Sequence, residues 1–301
     1  MSKGKMPPLV ALRAFEATAR HLSATRAAAE LNVTLGAVSH QLRVLEDFLG
    51  TELFVRGHRQ LSLTPGGAQY FDSVSGAFDA LRSATRVLSH PTGKSTVRVR
   101  AYTTFSLRWL IPHLSDFYTR HKAVELVLSV SNAPVDFHRD ELDCAIRMGP
   151  GEWPGCQADR LIPNLIAPVC SPALLGGLHT LKNPGDLKRY VLLQSNSNER
   201  KDDWPDWLAS QGLDPFDTYN RLYLEGSAVA YQAAIEGHGV AMAQLPLVRQ
   251  DLASGRLIQP LAGTLDRDNF TFYLIHPTHR RATSGLEQFR EWLLGTCLTA
   301  S

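Results

Sequence analysis

The stretch Ser23-Ala24-Thr25-Arg26-Ala27-Ala28-Ala29-Glu30-Leu31-Asn32-Val33-Thr34-Leu35-Gly36-Ala37-Val38-Ser39-His40-Gln41-Leu42-Arg43-Val44-Leu45-Glu46-Asp47-Phe48-Leu49 decides the fold of the N-terminal part of the chain. Val38, Leu42, Leu45 and Leu49 recur at spacings of 4, 3 and 4, so they share one helical face. Gly36, Ser39, His40 and Arg43 fall on roughly the opposite face. Ser23 is placed to cap a preceding helix over about Ala24 to Leu31, in which Ala27 and Ala28 permit close packing. Asn32 and Val33 supply a turn, and Thr34 caps the second helix. Two helices joined by about three to four residues is the helix-turn-helix spacing. Leu9, Leu12, Phe15 and Ala19 supply a first helix that covers the pair.

The exposed side of the second helix is small and polar near its N-terminus, which suits entry into a DNA major groove end-on. Thr34, Ser39, His40 and Arg43 then meet base edges and nearby phosphates, with Leu35 and Gly36 beside them and Arg26 on the backbone. Residues 53–64 read as two short strands around a basic tip, a wing whose Arg56 and Arg59 reach phosphates or a minor groove. The rival reading is a small helical domain whose arginines merely face solvent.

Thr64-Pro65-Gly66-Gly67 closes the wing and opens another helix. Phe71, Val74, Phe78, Leu81, Thr85 and Leu88 recur at 3, 4, 3, 4 and 3, a heptad seam suited to a second copy of the same helix. Phe71, Val74, Phe78, Leu81 and Leu88 are therefore the expected dimerisation residues. The alternative is a helix packed on its own domain. Ser89-His90-Pro91-Thr92-Gly93-Lys94-Ser95 is the expected hinge.

Beyond the hinge, strand and helix patterns alternate, which predicts an α/β fold with a mainly parallel sheet. Expected strands are 96–101, 124–130, 143–148, 165–170, 191–194, 219–224, 240–243 and 271–275. Helices are expected near 106–121, 187–190, 204–211, 228–236, 246–253 and 284–296. The chain thus divides into a head (1–63), a linker helix (64–89) and an α/β domain (90–301). That domain splits into two subdomains about a cleft, about 90–165 plus 270–301 and about 166–269.

In open α/β sheets, ligands sit beyond the C-terminal ends of strands, where loops meet helix N-termini. Thr103, Thr104 and Ser106 follow the first strand, Ser195 follows another, and Ser227 and Ala228 open a helix after a third. Hydroxyls and exposed amides suit a small polar, anionic ligand such as a carboxylate. Arg147, at the end of a buried-looking strand, is placed either to hold that carboxylate bidentately or to form an ion pair with Asp136 or Asp143. Each Ser or Thr also has the plainer reading of a helix cap.

The segment from Ala11 to Gly67 resembles the N-terminal domain of the LysR-type transcriptional regulators, most closely the branch containing the glycine-cleavage activator and the β-lactamase regulator. One departure is Leu35, where many members carry Gln; Leu35 offers only apolar contact, for example to a thymine methyl. Later stretches extend the resemblance over essentially the whole chain: R-W-L-I-P-H-L-S-D-F, V-D-F-H-R-D-E-L-D-C-A-I-R-M-G-P-G-E-W-P-G, A-P-V-C-S-P-A-L-L, Q-A-A-I-E-G-H-G-V-A-M-A and D-L-A-S-G-R-L-I-Q-P. It implies a winged head and an effector domain with the periplasmic-binding-protein type II fold. It implies double-stranded promoter DNA, a small-molecule effector, RNA polymerase and further copies of the chain, as a dimer or homotetramer, as partners. It also places Thr104 and Ser227 where the β-lactamase regulator group has ligand-contacting Thr and Ser residues.

Composition is consistent with this reading. The chain has 301 residues, 44% hydrophobic and 20% charged, ordinary for a globular protein with two domains. Net charge is only +2, but residues 1–90 hold ten Lys/Arg against seven Asp/Glu, so the positive excess sits with the head. No run approaches the roughly 18 consecutive apolar residues that span a membrane, and no secretory signal is recognised, so a cytoplasmic protein is expected. The four cysteines show no C-x-x-C pairing, which fits reduced thiols; Cys156 reads as an incidental small apolar residue rather than a redox sensor. No G-x-S-x-G, H-E-x-x-H, P-loop or G-x-G-x-x-G motif is present, so no enzyme, cofactor or metal is expected. The other rival is a solute-binding protein without specific DNA readout.

Overall fold

The computed structural model describes residues 6–56, 61–89, 94–176, 181–215, 218–268 and 270–300. The chain forms two compact units. The first is Met1–Gly93 with Asp136–Glu141 and Thr278–Arg281, and the second is the remainder. Hinge residues 90–93 lie outside the described residues.

The first unit opens with three helices, α1 (Leu9–His21), α2 (Ala24–Leu31) and α3 (Leu35–Leu49). Both caps fall where the sequence puts them. Ser23 accepts from the Arg26 amide at 3.3 Å and Thr34 from the Ala37 amide at 3.2 Å, each meeting one orphan donor of a helix start. Asn32 ends α2 at φ 54°, a left-handed geometry that Asn tolerates, and the Val33 amide returns to the Ala28 carbonyl at 3.0 Å. Ala27, Val38, Leu42 and Leu45 pack under Phe15, which meets Phe54 edge-on at 5.6 Å. Arg20 on α1 bonds both Glu16 and Glu30 of α2, holding the Glu30 carboxyl down at about 2.

The wing follows as β1 (Phe54–Arg56) and β2 (Leu61–Leu63), antiparallel, with Phe54 opposite Leu63. Helix α4 (Pro65–Ser89) is capped by Thr64, which accepts from the Gly67 amide at 2.9 Å and donates to the Glu52 carbonyl at 3.1 Å. A Cβ at Gly67 would stand 2.1 Å from the Leu53 carbonyl oxygen, so only glycine lets α4 leave the wing here.

The heptad seam divides along its length. Phe71 and Val74 are buried in the core of the first unit and Phe78 packs against it, whereas Leu81 is 59% exposed and Thr85 turns its hydroxyl back to the Leu81 carbonyl. The first turns of α4 thus bury their seam within the chain, as the own-domain reading expects. Leu81 is not buried within the chain; nothing is described of the Leu88 side chain. The segments 136–141 and 278–281 group with α4, which moves them out of the α/β domain as the sequence divides it. His138 stacks on Phe71 (4.6 Å) and on His279 (4.5 Å, 7° between planes), its Nδ1 lies 3.2 Å from Ser75 Oγ, and Arg280 pairs with Asp79.

These two imidazoles carry a pH prediction. Burial is the main cause that lowers both His138 and His279 below the ordinary value of 6.5; Arg280 adds to it, and Asp72 and Asp79 oppose it. A base depressed in the folded state is protonated first in the unfolded state. Stability is therefore full above 6.5 and falls as pH drops from 6.5 toward the depressed values. Melting temperatures of the wild type and of a His138→Gln/His279→Gln pair, taken from neutral to mildly acid pH, check this. Equal pH slopes in the two proteins would remove the imidazoles as the cause.

The second unit holds two five-stranded sheets, in the orders β4-β3-β5-β12-β6 and β11-β7-β10-β8-β9. The first contains β3 (Ser95–Ala101), β4 (Val124–Val130), β5 (Cys144–Gly149), β6 (Cys156–Arg160) and β12 (Thr271–Pro277). The second contains β7 (Leu165–Val169), β8 (Leu192–Ser195), β9 (Arg221–Leu224), β10 (Val240–Gln244) and β11 (Leu265–Asp266). The sheets are mixed, not mainly parallel. Strand β3 runs parallel to β4 and β5, and β8 runs parallel to β9 and β10, whereas β12 and β7 are antiparallel to their neighbours. The reason is connection. Helical crossovers join β3 to β4, β8 to β9 and β9 to β10, which forces them parallel; β7 and β12 arrive from the other sheet and enter reversed.

Four further helices matter to the site: α6 (Ile111–Arg120), α7 (Asp203–Ser210), α8 (Ser227–Ile235) and α9 (Leu245–Ala253), with a short α5 (Thr103–Phe105) before α6. The helix expected from Ser106 begins at Thr103 and carries a π turn over Ser106–Leu110, in which the Ile111 amide reaches back to the Ser106 carbonyl. Pro112 accounts for it: with no N–H, it cannot close the ordinary ladder to residue 108, so the turn before it widens.

Candidate functional site

Two surfaces carry the residues singled out by the sequence. On the first unit, Thr34, Leu35 (49% exposed), Gly36, His40 and Arg43 are exposed along the N-terminal half of α3, with Ser39 half-buried between them and Arg26 exposed on α2. An added Cβ at Gly36 would touch nothing closer than Thr34 at 3.9 Å, so a neighbouring molecule could approach the backbone there. Arg20, by contrast, is held by its two carboxylates. Arg59 and the Arg56 side chain lie outside what is described.

On the second unit, a cavity of about 680 Å³ opens where the C-terminal ends of β3 and β9 meet their helices. Thr103 and Thr104 line it from α5, Leu107 and Arg108 from the π turn, and Asn132 from the loop after β4. Glu225, Gly226, Ala228, Val229 and Gln232 line it from the start of α8. Gly226 takes φ 86° and offers no side-chain cap, leaving the first amides of α8 without one. The Thr103 amide donates to Asn132 Oδ1 at 2.9 Å, fixing the amide side chain at the rim.

The sequence-derived residues part company here. Thr103, Thr104 and Ala228 line the cavity; Ser227 sits between two lining residues but is itself buried. Ser106 is fully covered, with its hydroxyl donating to the Tyr102 carbonyl at 3.0 Å. Ser195 donates to Ser197 Oγ at 3.4 Å and is not in the lining. Arg147 is not in the cavity lining and pairs with neither Asp136 nor Asp143. Its guanidinium donates to the Ala133 and Asn132 carbonyls at 2.8 and 3.0 Å and lies over the Tyr102 ring, while Asp143 accepts from the Arg98 amide and Asp136 pairs with Arg139. It positions the loop that carries Asn132. Burial lowers its pKa from the usual arginine value.

Leu107, Arg108, Asn132, Glu225 and Val229 are lining residues that sequence reasoning did not select. Asn132 was within reach of the same strand-end rule that gives Thr103; Arg108 was not, because it lies inside the helix and not at a strand end. Burial pushes all four thiols up, Cys170 to about 11, so thiolate is scarce and Cys156 fits the incidental reading. No helix is long and apolar enough to cross a membrane among the described residues.

A helix-turn-helix head with a wing, joined to a two-sheet α/β unit with a cavity at its strand ends, defines a ligand-responsive DNA-binding regulator. Residues 9–68 match the model of the bacterial regulatory helix-turn-helix protein, lysR family, and residues 91–298 match the LysR substrate binding domain. The chain therefore belongs to the LysR family of transcriptional regulators. It is 39% identical over 294 residues to the glycine cleavage system transcriptional activator of Escherichia coli, covering 98% of this chain and 95% of that one. It is 38% identical over 288 residues to the transcriptional activator AmpR of Pseudomonas aeruginosa, covering 95% of each. The AmpR effector binding domain from Citrobacter freundii superposes with a TM-score of 0.60 at 29% identity, covering 68% of this chain and all of that domain. These relatives are regulators, which favours the regulator reading over the solute-binding one.

Proposed function

We propose that the chain binds interrupted palindromes at promoters through the N-terminal half of α3 and changes transcription when a small polar, anionic effector enters the 680 Å³ cavity. Thr34, Leu35, Gly36, Ser39, His40 and Arg43 face base edges and adjacent phosphates, while Arg26, Arg56 and Arg59 hold the backbone. The single observation that carries this reading is the exposed α3 surface, capped at Thr34 and open to approach at Gly36. Residues 1–63 serve as the head, 64–89 as the linker and 90–301 as the effector domain. Dimers form through the exposed later part of α4, around Leu81, and pair into a homotetramer. Effector binding shifts subunit placement, and so DNA bending and access of RNA polymerase, in the cytoplasm; such couplings are typically about 1–3 kcal/mol.

The test is capture of sheared genomic DNA from the source organism on the purified protein, washed at low and moderate salt and sequenced. The expected result is enrichment of a few interrupted palindromes that survive moderate salt. Retention that is blind to sequence, or lost entirely, would overturn the reading.

A further inference from the structure

We propose that Arg108 is the residue through which the cavity senses an effector carboxylate, and that it relays occupancy by letting go of Asp251 on α9. The inference rests on the cavity being the effector site. Among the described residues, Arg108 is the only cationic side chain in the cavity lining, which also holds Glu225. Its Nη1 donates to Asp251 Oδ2 at 3.0 Å, and its guanidinium lies over the Tyr231 ring, 5.8 Å from the centroid. Arg108 belongs to the helix that follows β3 in the first sheet; Asp251 and Tyr231 lie on α9 and α8, which flank β10 of the second. One side chain thus lines the cavity and ties the two halves of the unit together.

A guanidinium has five N–H donors in a planar fork that matches a carboxylate bidentately. The structure accounts for one of them, the bond to Asp251, and the head group is largely covered, so its remaining donors favour an anion in a site of reduced dielectric. Turning Arg108 toward that anion would ordinarily strand a buried carboxylate, since Asp251 is only 2% exposed. Here Arg256 already pairs with the other oxygen of Asp251, so its charge keeps a partner when Arg108 leaves. The exchange is one carboxylate for another on the same guanidinium. The π turn fits the role: widened turns of this kind recur at functional sites, and this one carries both Leu107 and Arg108.

The test uses hydrogen exchange of the full-length protein with two probes of nearly equal shape, sodium propionate and propionamide, at matched ionic strength. They differ in charge, so a difference between them reports a sensed anion. In the wild type, propionate is expected to protect peptides over 103–108 and 226–232 more than propionamide does, and at the same time to reduce protection over 245–253. In Arg108→Gln the preference for propionate is lost, while Arg108→Lys keeps it in weaker form. In Asp251→Asn the cavity keeps its preference for propionate, and the response over 245–253 disappears. Protection of the cavity by propionate without any response over 245–253 in the wild type would overturn the relay and leave the effector site standing. So would an undiminished propionate preference in Arg108→Gln. Cavity peptides unmoved by either probe would overturn the effector-site reading, and the role of Arg108 with it.

Discussion

Replacing Asn164 by Ala is expected to lower the unfolding free energy of the α/β unit by about 3 kcal/mol or more, at about 1–3 kcal/mol for each of the three polar groups it strands. Asn164 lies in the segment that leads from β6 to β7 and is fully buried. Its Oδ1 accepts from Arg200 Nη1 at 3.1 Å and from Gln244 Nε2 at 2.7 Å, and its Nδ2 donates to the Phe270 carbonyl in the returning segment before β12. Its own carbonyl accepts from the Arg267 amide at 3.0 Å. Arg200 is 2% exposed and held otherwise by Asp203, 2.6 Å away. Alanine keeps the backbone bond and removes the rest, so a guanidinium N–H, an amide and a carbonyl are stranded together away from water. Urea unfolding of Asn164→Ala against the wild type measures the loss as a shift in midpoint at unchanged slope. A loss under about 1 kcal/mol, the worth of a single ordinary hydrogen bond, would mean that water enters and rescues the stranded groups.

Asn164 also marks a limit of what the sequence reveals. Its side-chain partners are 36, 80 and 106 residues away, so no local pattern marks the position. The head is different. Ser23, Asn32 and Thr34 act on backbone groups within four residues of themselves, and Val38, Leu42 and Leu45 need only a helical period, so α2, the turn and α3 follow from nearby residues. Strand β6 reads Cys-Gln-Ala-Asp-Arg, with no apolar alternation, and β11 is two residues long; both form because β12 and β7 offer them an edge, not because of their own pattern. The α4 seam shows the opposite failure. Its heptad is real, yet Phe71 and Val74 face Phe15 and its neighbours within the unit, because a periodic stripe says which face is buried and not by what. In the cavity, Thr103, Thr104 and Ala228 follow from the strand-end rule. Arg108 lies within the π turn before Pro112, inside the helix, where the strand-end rule does not reach. The role of Arg147 depends on two carbonyls of a loop that only the tertiary fold brings beneath it.

The DNA-reading surface supports the second large effect. Arg43→Ala is expected to weaken binding to the preferred site by about 1–3 kcal/mol, roughly five- to 150-fold, while binding to random DNA falls much less. Arg43 is exposed on α3, one turn beyond Ser39 and His40 and two beyond Gly36, so these residues form one ridge along the helix. A guanidinium at that place is long enough to reach a guanine edge when the capped end of α3 enters the major groove. Its exposure means that removal should leave the melting temperature of the head nearly unchanged, which separates a reading defect from a folding defect. Fluorescence anisotropy on the palindrome and on shuffled DNA, each over a salt series, measures both terms. A base contact lowers affinity for the palindrome and flattens the preference at one step. A phosphate contact instead weakens both DNAs alike and reduces the salt slope by about one counterion. An equal loss on the two DNAs would therefore move Arg43 from the reading surface to the backbone clamp. Sequence choice would then fall to Thr34, Leu35, Ser39 and His40, of which Leu35 offers only apolar contact.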